Sequence, residues 1–377
     1  MSPRSRPPFR ADHVGSLLRP PALLAARDRA AKGAISPAAL RAAEDAAIRD
    51  VVAFQEGLGL QSVTDGEFRR TYFHIDFLER IEGVAVSESG IPAHFHTDHG
   101  DLDFAPPRLS ITGKLRRSGP IFGEDFSFLA AALDATGGRT PKIAIPSPSM
   151  AHFRGGRAAV DRVAYPDIEQ FFADLARVYA EEIADLAARG CRYLQLDDTN
   201  LAYLCDPEIR ADVRAMGEDP DALPAAYARL INAAIAGRPA DMTVAIHLCR
   251  GNFRSAWVAE GGYDPVAETL FGRIEADAFF LEYDTDRAGD FAPLRYVPED
   301  KFVVLGLVST KTPRLEDKDA LKRRIDDAAR RVPLERLCVS PQCGFSSTVH
   351  GNQITVDDER RKLALVVELA RDVWGDS

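Results

Sequence analysis

The chain is poor in cysteine, methionine and tryptophan, and it has no long uninterrupted apolar run. Its five cysteines are scattered and odd in number, which argues against a disulfide framework and favours a reducing compartment. No segment has the length and apolar character of a membrane span, and the basic, proline-rich start lacks the apolar core of a signal peptide. We therefore expect a cytoplasmic protein without a membrane partner.

Positive charge is also scarce. The 377 residues include 47 Lys and Arg against 57 Asp and Glu, a formal net charge of −10, and basic runs such as Lys322-Arg-Arg324 are short. This balance makes nucleic acid and anionic membranes poor partners. With 46% apolar and 28% charged residues, the composition is that of a globular enzyme. A homo-oligomer is compatible with the sequence, which does not determine the oligomeric state.

Strand-like and helix-like segments alternate along the chain. The predicted strands lie at residues 9–17, 61–64, 142–146, 192–196, 243–246, 278–281, 302–307 and 337–340. Eight such units separated mostly by helices predict a (β/α)8 barrel, an α/β fold, that occupies residues 1–377 as a single catalytic domain. A doubly wound open sheet is the alternative, although no Gly-x-Gly-x-x-Gly motif follows the first strand.

The segment from residue 84 to 138 departs from this alternation. Glycine, proline and serine are frequent in it, and Ile111-Thr-Gly-Lys114 has the pattern of a hairpin strand. It has too few apolar residues for a core of its own. We therefore expect an inserted hairpin and loop region between strands 2 and 3, beside the barrel mouth, where it can cover a substrate.

Polar side chains follow almost every predicted strand. In a barrel, the carboxyl ends of the strands open onto the face where active sites lie. The residues at these positions are Ser16, Asp65, Glu67, Ser147, Ser149, Asp197, Asp198, His247, Cys249, Glu282, Lys311 and Cys343. The sequence thus predicts that the active site lies at this face.

His247 and Cys249 are the first candidates for metal ligands. They follow the apolar run Val244-Ala-Ile246, and residues two apart on a strand point to the same side. Glu282 and Cys343 follow later strands of the same barrel. One imidazole, one carboxylate and two thiolates form a set suited to tetrahedral Zn²⁺.

Six stretches in this order resemble the catalytic barrel of cobalamin-independent methionine synthase, in a short form with a single barrel. They are His13-Val-Gly-Ser16, Asp65-Gly-Glu-Phe-Arg-Arg70, Gln195-Leu-Asp-Asp198, His247-Leu-Cys249, Phe280-Leu-Glu282 and Ser340-Pro-Gln-Cys-Gly-Phe345. The resemblance spans nearly the whole chain. It implies a zinc-dependent methyltransferase that transfers a methyl group to homocysteine and forms methionine.

The resemblance also implies a role for individual residues. The zinc ligands of that family correspond to His247, Cys249, Glu282 and Cys343. Its homocysteine-binding residues correspond to Ser16, Glu67 and Asp197. Asp198 is an alternative to Asp197, because a strand end alone does not determine which acid faces inward.

The methyl donor is less certain from the sequence, since the family has a proton-donating histidine where this chain has Lys311. Lys311 is therefore expected either to protonate the leaving group or to bind a negative group on the donor. A folate or a methylcobalamin carrier is the expected methyl donor. The full-length synthase binds folate with a second barrel, which is not expected here.

Two alternative functions remain. One is a zinc-dependent thiol transferase or lyase that attacks another electrophile, as in epoxide-opening relatives that use coenzyme M. The other is a non-catalytic zinc-binding relative.

Overall fold

The structure is a computed structural model that describes residues 4–88, 93–97, 100–133 and 138–376. Its helices are α1 (Pro21–Ala31), α2 (Pro37–Leu58), α3 (Ile75–Leu78), α4 (Gly123–Ala132), α5 (Ile168–Ala188), α6 (Asn200–Tyr203), α7 (Pro207–Ala215), α8 (Leu223–Ile235), α9 (Asp264–Arg273), α10 (Lys318–Ala329) and α11 (Val356–Trp374). Its strands are β1 (Ser62–Val63), β2 (Glu82–Ser87), β3 (Ala93–Thr97), β4 (Gly100–Phe104), β5 (Arg108–Arg116), β6 (Thr140–Pro141), β7 (Ile143–Pro146), β8 (Tyr193–Asp198), β9 (Thr243–Leu248), β10 (Ala278–Glu282), β11 (Phe302–Val308) and β12 (Leu337–Pro341).

A closed ring of parallel strands forms the centre of the molecule. Strands β7 to β12 form one parallel sheet in chain order, and β1 pairs in parallel with β6, which leads into β7. On the other side, Ala11 forms a parallel bridge with Val339 of β12 and takes the first strand position. Ser62 Oγ donates to Asp12 Oδ1 over 2.9 Å, which joins this position to β1. The ring therefore closes, and the predicted (β/α)8 barrel is confirmed over the open sheet.

Apolar side chains cover both faces of the ring. Strands β8, β10 and β12 are buried along their whole length, as expected for parallel strands with helices outside and packed side chains inside. The inner layer includes Tyr193, Ala245, Ala278, Phe280, Val304 and Cys338. These residues define which positions of each strand point inward, because side chains alternate along a strand.

Helix ends follow signals that are local in sequence. Helix α2 begins with Pro37 after Ser36, whose Oγ accepts a hydrogen bond from the Ala39 N–H, and it ends at Gly59 with a left-handed φ of 91°. Helix α11 begins with a reciprocal capping box between Thr355 and Asp358. Within the described ranges, no helix combines the length and apolar character needed to cross a membrane.

Two antiparallel hairpins separate β1 from β6. Strand β2 pairs with β5, and β3 pairs with β4. The β3–β4 hairpin reaches the barrel mouth, where the backbones of His96 and Trp257 exchange hydrogen bonds of 2.7 and 3.0 Å. The predicted insertion between strands 2 and 3 is thereby confirmed. Parts of the predicted segment 84–138, namely residues 89–92, 98–99 and 134–137, lie outside the described residues.

A buried ion pair lies inside the barrel where β8 begins. Lys142 Nζ donates to Asp12 Oδ1 over 3.2 Å and to the His13 carbonyl over 2.5 Å. Asp12 also accepts hydrogen bonds from Ser62 Oγ at 2.9 Å and from the Tyr193 hydroxyl at 2.7 Å. Both charged side chains are fully buried, and each has partners for its polar atoms. Asp12 and its partners therefore tie together the first four strand positions of the ring.

Candidate metal and substrate site

His247, Cys249 and Cys343 converge at the mouth of the barrel. Their ligand atoms lie within 4.8 Å of one another and all three residues are buried. The two sulfur atoms are 3.3 Å apart, although 94 positions of sequence separate these cysteines. His247 belongs to the inward-facing series of β9, Cys249 follows on the same side, and Cys343 comes directly after β12. Three of the four predicted ligands therefore meet at one point.

This cluster fits a zinc ion in its chemistry. Neither ring nitrogen of the buried His247 makes a hydrogen bond of good geometry within the described part of the chain, although the Cys343 sulfur lies close enough to interact with the ring. A buried polar group without a partner costs free energy, and coordination to a metal ion would remove that cost. Cys249 and Cys343 are free cysteines, and imidazole with two thiolates is a ligand set that zinc prefers.

The two thiols differ in acidity. The hydrogen bond between them holds the pKa of Cys343 well below its usual value and, together with burial, raises the pKa of Cys249 well above it. Burial disfavours the imidazolium of His247, but the adjacent Cys343 thiolate outweighs this and raises the pKa of His247. The site therefore favours a thiolate on Cys343, and the thiolate is the form of cysteine that binds metal.

Glu282, the fourth predicted ligand, is at the end of β10 and is completely buried. Its Oε1 accepts a hydrogen bond of 3.1 Å from the Arg250 N–H, and its Oε2 lies 3.6 Å from Arg287 Nη2. The carboxylate is therefore not part of the cluster formed by the three other residues. It is close enough for its charge to raise the pKa of His247 and of Cys249.

Glu67 follows β1 in a left-handed backbone conformation, with a φ of 59°. Such a conformation is rare for a residue with a side chain. Two hydrogen bonds hold it here: the Glu67 N–H donates to Asp65 Oδ1, and the Arg19 side chain donates to the Glu67 carbonyl. Its Oε1 lies 3.5 Å from Arg70 Nη1, whereas its buried Oε2 has no partner in the described residues. Burial, partly opposed by Arg70, raises the pKa of Glu67 to about 7.

Asp197 and Asp198 are adjacent on β8 and point to opposite sides. Asp197 belongs to the inward series, where its Oδ1 accepts a hydrogen bond of 2.6 Å from Gln195, and burial raises its pKa to about 6. Asp198 instead accepts hydrogen bonds from Ser149 Oγ at 2.6 Å and from the Leu201 N–H at 2.8 Å. Because side chains alternate along a strand, only the first of the two acids faces the site. The role predicted for Asp198 as a substrate ligand is therefore not supported by its position.

Ser16 lies beneath the loop that carries Cys343. The Ser16 carbonyl accepts a hydrogen bond of 2.9 Å from the Phe345 N–H. A Cβ atom at Gly344 would come within 1.9 Å of Ser16 Oγ, so a glycine is needed for this close approach. Ser16 therefore lies near the predicted metal ligands, as the sequence motif suggested.

One cavity at the barrel mouth brings these residues together. Its free space for water-sized molecules is about 60 Å³. Of the predicted site residues, Ser16, Glu67, Asp197, His247, Cys249 and Cys343 line it. Glu282 and Asp198 are not among the lining residues, and Lys311 lines a different, neighbouring cavity.

An aromatic wall on this cavity was not predicted from the sequence. Phe95 and Phe104 of the inserted hairpin pack against Phe253, with ring centroids 5.3 and 4.0 Å from it. Tyr72 stacks on Phe104 at 6.4 Å. The only local signal is the alternation of polar and apolar residues in the two short hairpin strands. That signal indicates a strand but does not reveal where the strand packs.

His74 and Arg154 also line the cavity and were not among the predicted site residues. Burial, with a further contribution from Arg154, lowers the pKa of His74 to about 3, so its imidazole is neutral at physiological pH. Its Nδ1 has no partner among the described residues. The cavity thus offers a neutral imidazole and a guanidinium in addition to the thiol cluster.

Comparisons with known proteins agree with the fold. A family model described as "Cobalamin-independent synthase, Catalytic domain" matches residues 157–371. The uncharacterised protein YxjH of Bacillus subtilis is 47% identical over 369 residues, which are 97% of this chain and 95% of that protein. A solved structure of a candidate vitamin-B12-independent methionine synthase from Listeria monocytogenes is 40% identical, covers 98% of this chain and 99% of that chain, and gives a TM-score of 0.78.

Relatives with an enzyme name are more distant. The 5-methyltetrahydropteroyltriglutamate–homocysteine methyltransferase of a Synechococcus species is 23% identical over 343 residues, which are 90% of this chain but 41% of that longer protein. The family model covers more than half of the present chain, and the two most similar of these proteins match it almost from end to end. The chain therefore belongs to the family of the cobalamin-independent methionine synthase catalytic domain.

Proposed function

We propose that this chain is a zinc-dependent methyltransferase that methylates the thiol of homocysteine. The observation that carries the proposal is the single cavity lined by His247, Cys249 and Cys343 together with Glu67 and Asp197. It combines ligands for a thiol-binding metal with carboxylates for an amino group. Homocysteine carries both a thiol and an amino group, separated by a short carbon chain.

The metal would be held by His247, Cys249 and Cys343, with Glu282 close by. When bound, zinc supplies a positive charge that keeps a substrate thiol deprotonated at neutral pH. The unpartnered nitrogens of His247 and the thiolate on Cys343 support this assignment. Glu282 Oε2 has no hydrogen-bond partner among the described residues, and the neighbouring Arg287 balances its charge.

The amino-acid part of the substrate would be held by the carboxylates that line the same cavity as the metal ligands. Glu67 Oε2 is buried and without a partner, and it can accept a hydrogen bond from a substrate ammonium. Asp197 adds a second negative charge within the same cavity. Ser16 can donate a hydrogen bond to the substrate carboxylate. These contacts would orient the sulfur atom for attack on the methyl carbon, whose bond to the donor breaks as the sulfur–carbon bond forms.

The test is the formation of methionine by zinc-loaded protein. The protein is incubated with homocysteine and either 5-methyltetrahydrofolate or methylcobalamin, and methionine is measured by mass spectrometry. We expect product with one of these donors and its loss in Cys249→Ser. Cys191→Ser is the matched control, because Cys191 is a buried free cysteine outside the cavity.

A second readout separates metal and thiol binding from turnover. In protein substituted with Co²⁺, homocysteine should change the visible absorption bands as its sulfur enters the coordination shell. A spectral change without methionine from either donor would contradict methyl transfer to homocysteine and would favour a thiol transferase acting on another electrophile. Metal binding without any response to the thiol would favour a non-catalytic relative.

A further inference from the structure

Arg19 is a buried arginine in the loop that follows the first strand position of the ring, three residues after Ser16. Arginine is almost never fully buried unless its charge and its N–H groups have partners. The Arg19 guanidinium is hydrogen-bonded to five oxygen atoms in two other loops, one after β1 and one after β12. These two loops carry Glu67 and Cys343, which line the candidate site. Arg19 therefore joins a carboxylate that is proposed to bind substrate to a proposed metal ligand.

Each arm of the Arg19 guanidinium reaches one of the two loops. Nη1 lies 3.0 and 2.6 Å from the carbonyl oxygen and the Oγ of Ser346, and 3.1 Å from the Thr348 carbonyl oxygen. Nη2 donates to the carbonyl of Glu67 over 2.8 Å and to that of Arg70 over 3.0 Å. Because a guanidinium is planar and rigid, these bonds hold the two loops in one relative position.

The hydrogen bonds from Arg19 act on the backbone of the two loops. Four of the five acceptors are carbonyl oxygens, and the fifth is the Ser346 hydroxyl. Glu67, whose carbonyl is one of these acceptors, has the disfavoured φ of 59°. The direction in which a side chain leaves the backbone depends on the backbone conformation. The bond from Arg19 therefore influences where the Glu67 carboxylate lies, although the guanidinium does not contact that carboxylate through these bonds.

Backbone hydrogen bonds also connect these loops. The Phe345 N–H donates to the Ser16 carbonyl over 2.9 Å, and the Val349 N–H donates to the Thr71 carbonyl over 2.8 Å. These bonds do not depend on the side chain at position 19, so a variant at this position should still fold. The guanidinium adds a contact at Glu67 itself, and this contact fixes the residue that carries the carboxylate.

Two neighbouring arginines have different roles. Arg70 Nη1 faces Glu67 Oε1 at 3.5 Å, so Arg70 acts on the charge of the carboxylate. Arg27 donates to the Phe68 carbonyl over 3.2 Å, in the loop after β1. Of these three arginines, Arg19 is the one whose side-chain hydrogen bonds reach both loops within the described part of the chain. Arg19 does not line the cavity, so its substitution alters the loops without removing a group that faces the substrate.

We propose that Arg19 is a positioning residue that sets the spacing between Cys343 and Glu67 and thereby selects thiols that carry an amino group. This inference rests on the proposed function, since it concerns how the substrate of that function is chosen. A thiol gains from both contacts only if its sulfur and its amino nitrogen match the distance between the metal and the carboxylate. When the loops are held beforehand, binding does not have to order them, and both contacts contribute to affinity. When the loops are loosened, the contact with the metal remains and the contact with the amino group weakens.

The test measures thiol binding without turnover. Full-length protein substituted with Co²⁺ is titrated with homocysteine and, separately, with 4-mercaptobutyrate, which has the same carbon chain and carboxylate but no amino group. The visible absorption bands of the metal give a dissociation constant for each thiol. The wild type should bind homocysteine more tightly by roughly 10–100-fold, the effect of one hydrogen bond to a charged group.

Substitution of Arg19 by lysine should remove this preference. Arg19→Lys keeps the positive charge but has one nitrogen in place of a rigid fork, so it cannot bond to both loops in the same way. The affinity for homocysteine should fall to within about threefold of that for 4-mercaptobutyrate, which itself should change by less than about twofold. Arg336→Lys is the matched control, because Arg336 Nη1 donates to the carbonyls of Pro298 and Lys301, which precede β11 and lie away from the barrel mouth. Both dissociation constants of this control should equal those of the wild type.

A second variant tests the same role without changing the arginine. Ser346→Ala removes the 2.6 Å hydrogen bond at Ser346 Oγ and keeps the carbonyl acceptors of Arg19. The preference for homocysteine should therefore fall in Ser346→Ala, but by less than in Arg19→Lys. Affinity for 4-mercaptobutyrate should again stay close to that of the wild type.

Failure of this inference is distinguishable from failure of the proposed function. An unchanged preference for homocysteine in Arg19→Lys, or in Ser346→Ala if Arg19→Lys does not fold, would overturn the inference even if methionine forms. An equal loss of affinity for both thiols would also overturn it, because that result indicates a general loosening of the metal site. Selective binding of homocysteine by the wild type and its loss in Arg19→Lys, without methionine formation from either donor, would contradict methyl transfer and still support the role of Arg19.

Discussion

Two buried polar regions of this barrel differ in how their charges are satisfied. Inside the ring, Lys142 and Asp12 form an ion pair whose polar atoms are bonded to each other and to neighbouring strands. At the mouth, Lys311 Nζ, Glu67 Oε2 and both nitrogens of His247 have no partner among the described residues. The first arrangement is complete without a ligand, whereas the second leaves polar atoms for the metal and the substrate of the proposed function.

The same contrast separates two neighbouring carboxylates on one strand end. Asp198 is bonded to a serine and to a helix N–H, which is the bonding pattern of a structural residue. Asp197, one position earlier, faces the cavity and carries a raised pKa. Burial alone therefore does not indicate function. What distinguishes Asp197 from Asp198 is that Asp197 lines the cavity, whereas Asp198 does not.

The largest effect is expected from removing a metal ligand at the mouth. Cys343→Ser should weaken zinc binding by on the order of a thousandfold, because each ligand contributes several kcal/mol to a zinc site. Methionine formation should fall with the metal content. Zinc measured after dialysis against a chelator, with Cys191→Ser as the control, checks this expectation. Retention of zinc by Cys343→Ser would remove Cys343 from the ligand set.

Substitution by methionine should change the stability of the protein differently at Lys142 and at Lys311. Lys142→Met leaves the Asp12 carboxylate buried without its counter-ion and should lower the free energy of unfolding by about 3–5 kcal/mol. Lys311→Met removes a buried charge that has no partner and should leave the stability unchanged or increase it slightly. Urea denaturation of both variants measures the difference. A similar loss of stability in both would contradict the distinction between a lysine whose charge is paired and one whose charge is not.

Substitutions of Glu67 and of Asp198 should affect the affinity for homocysteine to different extents. Glu67→Gln removes the negative charge that we propose binds the substrate ammonium, and it should raise the KM for homocysteine by roughly 10–100-fold, since a hydrogen bond to a charged group contributes ~1.5–3 kcal/mol. Asp198→Asn keeps an oxygen acceptor for the Leu201 N–H and should change this KM by less than about twofold. A large effect of Asp198→Asn together with a small effect of Glu67→Gln would contradict the roles assigned to both residues. Steady-state kinetics with homocysteine as the varied substrate measures both.

The pH dependence of homocysteine affinity should be the smallest effect. The pKa of Glu67 is raised to about 7, so its carboxyl becomes neutral as the pH falls from 8 to 6 and loses its attraction for an ammonium. The KM for homocysteine should therefore rise over this range, by at most about tenfold per pH unit. Glu67→Gln should show a weaker dependence, since the remaining effect comes from the thiol and its metal. Parallel profiles for the two proteins would show that Glu67 does not titrate in this range.

The raised pKa of Glu67 has the opposite consequence for folding. A carboxyl that binds its proton more tightly in the folded state stabilises that state at low pH, and this contribution is lost as the pH rises from about 4.5 through 7. Ionisation of Glu67 in the cavity therefore lowers the stability of the folded protein at neutral pH. Such a loss of stability is typical of a binding residue. Asp12 does not show it, because its charged neighbours lower its pKa despite burial.

Much of the fold could be predicted because its signals are local. Strand runs with buried patterns, the Ser36-Pro37 start of α2 and the glycines after helices all appear in the sequence. The ligand types His247, Cys249 and Cys343 could be proposed because polar residues after parallel strands share one face of the barrel. The inserted region was expected, but not the packing of Phe95 and Phe104 over the cavity, because that packing joins residues far apart in the chain.

The sequence by itself determined the barrel, the face on which the site lies and the kinds of atoms that a metal can find there. Only the tertiary structure decided that Asp197 rather than Asp198 faces the cavity, that Glu282 is bonded to Arg250, and that Lys311 lies in a cavity of its own. The physical reason is that alternation along a strand is a local property. The partners of a buried charge, in contrast, are set by which loops meet at the mouth after the ring has closed.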